Sequence, residues 1–271
     1  MSARVGPGER RIRLRLHYDG SGFAGWQVQP ERAGRTVQGE LEAGLARITQ
    51  APGRVIAAGR TDSGVHATGQ VVSATVPLKW EPESLRRALN GVLPLDIWVA
   101  EAAAAEERFH ARYDAVARGY VYRLGTAPVS RSPFLRDRCW ALRKPLSLDL
   151  LHEAARRLPG RHSFRAFAKT GQPQRGDVCT VHRAEWREWH GVGVTFHIVA
   201  NRFLHHMVRY LVGTMADVAR QRRPVTDMDA LLAGSADAVT SPPAPPEGLY
   251  LSKVYYPGDD WSVEDTDEIL S

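Results

Sequence analysis

The chain has 271 residues, 43% of them hydrophobic and 24% charged, which is ordinary for a globular protein and enough to bury a core in one large domain or two small ones. Wholesale disorder, collagen-like repeats and coiled coils are excluded, no apolar run approaches the roughly 20 residues of a membrane span, and 1–11 lacks a signal-peptide core, so a cytoplasmic protein is expected. The net charge of +6 is unevenly placed: six acids and no Lys or Arg fall in 257–271, leaving 36 Lys and Arg against 24 acids, or +12, for the body, 32 of these cations being arginine, which suits a polyanionic partner such as nucleic acid.

Ile12, Leu14, Leu16 and Tyr18 alternate with Arg11, Arg13, Arg15 and His17, which predicts a strand with one buried face and one basic face. Thr36 caps a predicted helix whose Val37, Leu41, Leu45 and Ile48 recur at helical spacing. Strands are expected at 54–58 and 70–76, a helix at 82–90 and a strand at 97–102. A second cycle opens with ARGYVYRLG at 117–125 and continues with a helix at 148–158. A hairpin of 180–189 and 192–200 around His190 and Gly191 follows, then a helix at 203–220 and a strand at 251–256. Ala127–Arg138 and the proline-rich Ser241–Gly248 are expected loops. The order strand, helix, strand, strand, helix, strand thus occurs roughly twice, without sequence identity that would mark a repeat. The expected divisions are a flexible 1–10, an N-terminal half 11–108, a C-terminal half 109–257 and an acidic tail 258–271.

Several chemistries fail for lack of parts. GSGFAG, Gly20–Gly25, matches the dinucleotide-binding fingerprint, but Trp26, Gln27 and Pro30 follow where a helix would have to open on the pyrophosphate. His205 and His206 are adjacent on the predicted helix, where neighbours point about 100° apart, so they do not form a metal pair and are assigned to packing. Cys139 and Cys179 are too few for a disulfide framework or a thiolate zinc site and are expected to be buried and inert. No serine-nucleophile elbow and no local pair of carboxylates occurs. Asp19, in YDG, reads as a turn former.

The stretch GRTDSGVHATGQ, Gly59–Gln70, is different. Gly59 and Gly64 permit unusual backbone angles and the close approach of a bulky substrate, and Arg60 comes within reach of Asp62 or of a phosphate. Two readings remain open on physical grounds: a tight turn closed by an Arg60–Asp62 pair, or an ionised, partly desolvated acid serving as nucleophile or base. A non-catalytic RNA-binding module would explain the charge and the aromatics, but a phosphate binder gains nothing from an acid in its basic groove.

GRTDSGVHA resembles the hallmark segment of the TruA family of tRNA pseudouridine synthases. YDGSGFAGWQ, FHARYDA from Phe109, ARGYVY, NRFLHHMVRYLVG from Asn201 and EGLYL from Glu247 are similar to further family motifs, so the resemblance spans nearly the whole chain. It implies an α+β fold: a large, mostly antiparallel sheet from two related ferredoxin-like halves with helices on one face. It implies a homodimer that binds tRNA and isomerises uridine to pseudouridine at positions 38, 39 and 40 of the anticodon stem-loop, with neither cofactor nor metal. Residue by residue, it makes Asp62 the essential aspartate, Arg60 and Arg209 basic residues placed to pair with it or with a phosphate, and Tyr120 the aromatic that stacks on the target base. Leu249 or Leu251 would close the pocket. Ser63 stands where the family has Ala, and Gly119 where many members have Arg.

Overall fold

The computed structural model describes residues 5–28, 34–169, 176–235 and 238–259; the acidic tail beyond 259 lies outside the described residues. The chain forms two compact units, Met1–Val116 with Leu251–Leu270, and Ala117–Tyr250. No helix among the described residues is long and apolar enough to cross a membrane.

In the first unit, strands β1 (Glu9–Tyr18), β2 (Val55–Ala57), β3 (His66–Pro77) and β4 (Ile97–Ala105) alternate with helices α1 (Val37–Thr49) and α2 (Pro82–Asn90). β3 pairs antiparallel with β1 and β2, and β1 with β4, so the order β4-β1-β3-β2 is that of the ferredoxin-like βαββαβ unit. Ile12, Leu14 and Leu16 are completely buried, as their alternation predicts, and Val37, Leu41, Leu85 and Leu89 complete the core from the helices. Each such side chain contributes roughly 1.5–3 kcal/mol of apolar burial. Thr36 caps α1 by accepting a hydrogen bond from the Gly39 amide at 3.2 Å.

The basic face of β1 differs from expectation. Arg11 is only 3% exposed; its Nη1 donates to Thr75 Oγ1 at 2.8 Å and its Nε to the Glu107 carbonyl at 3.4 Å. Arg15 pairs with Glu101, and Arg13 lies 4.8 Å from the Tyr256 ring centroid. The period-two pattern identifies which residues share a face; it does not report that neighbouring elements cover it. Strand β3 begins four residues before the expected 70, because His66–Gly69 are buried like the rest of the strand and show no alternation.

The second unit contains β5 (Ala117–Gly125), β6 (Trp140–Ala141), β7 (Gly160–Ser163), β8 (Val178–Trp189) and β9 (Gly193–Ala200), with α3 (Leu148–Ala155), α4 (Met207–Ala219) and α5 (Asp227–Leu232). β9 lies between β5 and β8, all antiparallel, and β7 extends the edge beyond β8; β6 runs parallel to β5. The relation β5-β9-β8, with α3 after the first strand and α4 after the third, repeats that of β1-β3-β2 in the first unit. The α+β class and the two related halves follow. β6, β7 and α5 are short and carry no hydrophobic period, which is why the sequence does not announce them. Cys139 and Cys179 are fully buried, and burial pushes each thiol up to about 11, as expected of inert cysteines.

The last strand, β10 (Leu249–Tyr255), passes in the chain from the second unit to the first.

Candidate active site

Asp62 sits in the loop between β2 and β3, half-buried, in a turn closed by the Val65 amide donating to its own carbonyl at 3.2 Å. Gly64 occupies the third position of that turn at φ +78°, the angle a type II turn demands and glycine supplies without strain. Gly59 does not share this role. Its φ is not positive and a Cβ there would meet nothing within 4 Å, so the expectation that it supplies an unusual angle is corrected.

What holds the loop is the preceding glycine-rich segment 19–26. Asp19 accepts from the Ser21 amide at 3.0 Å and caps a single 3-10 turn, Gly20–Gly22, as its reading as a turn former requires. No helix follows until Val37 among the described residues, which excludes the dinucleotide loop. The segment instead lies against the aspartate loop, backbone to backbone. The Trp26 amide donates to the Thr61 carbonyl at 3.0 Å, and the Phe23 carbonyl accepts from the Gly64 amide at 3.4 Å and from Ser63 Oγ at 3.2 Å. The second of these is the extra hydrogen bond that Ser63, in place of Ala, makes available.

The fit leaves no room for side chains. A Cβ on Gly20 would stand 2.0 Å from the Val65 carbonyl oxygen, and one on Gly25, at φ +103°, would stand 2.8 Å from the Thr61 carbonyl oxygen. Three side chains complete the cradle. Tyr18 shares a buried 2.8 Å hydrogen bond with Thr61 Oγ1, Gln70 Nε2 donates to the Gly59 carbonyl at 2.9 Å, and buried His66 Nδ1 accepts from the Gly20 amide at 3.0 Å. That same Nδ1 is 3.3 Å from Asp19 Oδ1, and the His66 ring, with the Ser21 amide, holds the Asp19 carboxyl below the usual carboxylate range. Nδ1 cannot accept from Gly20 and donate to Asp19 at once, so its two contacts require different placements of the ring proton.

Tyr18→Phe is expected to lower the unfolding free energy by about 1 kcal/mol, the usual net worth of such a bond, measured by urea denaturation. An unchanged midpoint would remove Tyr18 from the set of groups that hold the loop.

Arg60 is exposed and makes no hydrogen bond or ion pair with the described residues, so the turn is not closed by an Arg60–Asp62 pair. Its guanidinium is available to a phosphate. In the second unit, Tyr120 is half-buried on β5, opposite Ile198, with its ring edge-on to Phe203 at 4.9 Å. Arg209, in the first turn of α4, donates from Nε to the Ala244 carbonyl at 2.6 Å and lies 3.4 Å from His206 Nε2. Leu249 and Leu251 are buried in β10, at 6% and 0% exposure.

The helix carrying Arg209 starts at Met207, not at the expected Phe203. His206 precedes it at φ +64°, and the His205 carbonyl accepts from the Lys169 amide at 3.1 Å. The two histidines are therefore not neighbouring helical residues, and the roughly 100° separation used to deny them a common ligand does not describe them. The apolar period of α4 runs on through Phe203 and Leu204, which conceals the break.

A family model described as tRNA pseudouridine synthase matches residues 16–114 and 154–257, which include the aspartate loop, its cradle, Arg209 and β10. The chain belongs to the tRNA pseudouridine synthase family. Among its relatives, the tRNA pseudouridine synthase A of Moorella thermoacetica is 42% identical over 247 residues, 90% of this chain and 99% of that one. Those of Chlorobium luteolum and Geobacillus kaustophilus are 43% and 40% identical, over 92% and 91% of this chain and 97% and 95% of theirs.

The residues that sequence reasoning missed in this pseudouridine synthase are those of the cradle: Tyr18, Gly20, Gly25, His66 and Gln70. Their one signal was the glycine spacing of GSGFAG, which reports close backbone approach without saying to what.

Proposed function

We propose that the chain isomerises uridine to pseudouridine at positions 38, 39 and 40 of the tRNA anticodon stem-loop, with Asp62 as the essential carboxylate. Uridine isomerisation in tRNA is the activity of its family; the positions and the residue roles are the finer reading. The observation that carries it is the investment of structure in one acid: Asp62 lies on a loop gripped on its backbone by a second loop that tolerates no Cβ at Gly20 or Gly25.

The reaction breaks the bond from C1′ to N1, forms one from C1′ to C5, releases the C5 proton and returns a proton to N1. Atoms and electrons balance without an oxidant, a reductant or a co-reactant, so no cofactor and no metal is invoked. The target base must leave its stack, at a cost of a few kcal/mol, and the Tyr120 ring offsets roughly 1–3 of them by stacking. Arg60, exposed beside the loop, takes a phosphate, and Arg209 serves as the second basic residue. Leu249 or Leu251 closes the pocket. The enzyme works in the cytoplasm as a homodimer.

Tritium release from unmodified tRNA carrying C5-labelled uridine tests the activity: turnover at micromolar tRNA is expected, and a protein that binds tRNA but releases none would be a binding module. Binding is also expected to weaken steeply with salt, as counterion release demands. Salt-insensitive affinity would remove the electrostatic part of the reading.

A further inference from the structure

The segment Ala127–Arg138 is ordered, though the sequence presents it as a connection. Ser130 donates from both its amide and its hydroxyl to the Ala127 carbonyl, at 3.1 and 2.7 Å. The Ser132 amide bonds the Val129 carbonyl, and the Leu135 and Arg136 amides share the Ser132 carbonyl. The loop is anchored from beneath at two points. Ser130 is fully buried against Gly125, where a Cβ would stand 2.2 Å from its own, and the Arg138 carbonyl accepts from the Tyr250 hydroxyl at 2.7 Å.

This frame presents Phe134, 82% exposed, and Val129, 48% exposed, with exposed Arg131 and Arg136 three residues before and two residues after Phe134 in the chain. Between 127 and 144 there are five cations and a single acid, Asp137, a local charge of +4 within a chain of +6. Arg136 lies 3.6 Å from Asp137 with both side chains about 60% exposed, a pair that water and salt largely screen. The family-model match ends at 114 and resumes at 154, so this loop lies outside the matched stretches.

Single exposed apolar residues are common and need no explanation. An exposed aromatic ring on a hydrogen-bonded frame, with exposed arginines close to it in the chain and a local charge of +4, is a more specific arrangement. A ring stacks on a base, arginines neutralise the flanking phosphates, and the two together suit an unpaired segment of RNA. An apolar protein partner would have to bury the same arginines at a cost.

We propose that the loop 128–138 is a second tRNA contact, in which Phe134 stacks on an unpaired base other than the target uridine and Arg131 and Arg136 pair with the adjoining phosphates. The proposal rests on the tRNA reading above. The contact selects and holds tRNA and takes no part in the chemistry.

The test compares the full chain with Phe134→Ala, Phe134→Tyr and the double variant Arg131→Ala/Arg136→Ala, using unmodified tRNA labelled at uridine C5. Phe134→Ala is expected to raise both Kd and KM about 5- to 100-fold while kcat at saturating tRNA stays within twofold, and Phe134→Tyr to restore the wild-type values. The double variant is expected to reduce the slope of log Kd against log salt by about 1 to 2. Melting temperatures should match wild type, since the altered side chains are exposed. Wild-type Kd, KM and salt slope in Phe134→Ala and the double variant would overturn the proposal, as would a fall in kcat with KM unchanged. A shift from oligomer to monomer in Phe134→Ala, with KM unchanged, would overturn it in favour of a second copy of the chain on this ridge. A wild-type protein inert toward tRNA would remove the underlying reading itself, a result visible without any variant.

Discussion

Asp62→Asn is expected to reduce tritium release from C5-labelled tRNA by at least about 100-fold, with tRNA affinity within a few-fold of wild type. A positioned acid or base contributes typically 10²–10⁴-fold, and the amide can neither take a proton at neutral pH nor act as a carboxylate nucleophile. The substitution is close to isosteric, and the bond that shapes the turn, from the Val65 amide to the carbonyl of residue 62, belongs to the backbone and survives it. Loss of activity would then be a loss of chemistry. Full activity in Asp62→Asn would assign the essential group elsewhere, whereas parallel losses of activity and of thermal stability would make Asp62 a structural residue.

The second large effect is expected at Gly20. Its Cα faces the Val65 peptide so closely that a methyl group would lie 2.0 Å from the carbonyl oxygen and 2.4 Å from the carbonyl carbon. Both atoms are backbone and neither can swing aside as a side-chain tip would. Gly20→Ala must therefore displace either the 3-10 turn or the loop three residues beyond Asp62, breaking the Gly20 amide's bond to His66 as it does so. Overpacking of this kind costs about 1–3 kcal/mol or more, and displacement of the acid by even 1 Å is expected to lower kcat by about 100-fold. Gly59→Ala, on the other side of Asp62, is the control: open space and no positive φ predict a change within about 0.5 kcal/mol and near-normal activity. Denaturant midpoints and tritium release measured on both variants decide the matter. If the two glycines prove equivalent, the cradle is not what positions Asp62.

The contrast between these glycines shows where sequence reading stops. Both look alike in the string, and the wider spacing of Gly59 and Gly64 around Asp62 suggested that each freed the backbone there. Only Gly64, at φ +78°, does so. The indispensable glycines lie about 40 residues earlier, in a segment whose letters match a dinucleotide fingerprint. Their meaning depends on what they approach, and the partner, the Val65 or Thr61 peptide, leaves no trace in side-chain pattern. The same limit explains Arg11, placed on an open basic face by its period and found buried against Thr75 and Glu107, and His206, placed inside a helix by a continuous apolar run and found at φ +64° before it.

By itself the sequence determined the order of the longer elements, because a buried face imposes a period of two on strands and about 3.6 on helices, and those periods are written in residues such as Ile12, Leu14, Leu16 or Val37, Leu41, Leu45. It also determined the family, because GRTDSGVHA and its companion motifs are local strings. The tertiary structure alone decided how Asp62 is held. Its turn is fixed by peptide groups of a distant loop, through hydrogen bonds and contacts that any residue's backbone can make and that only the absence of a Cβ permits.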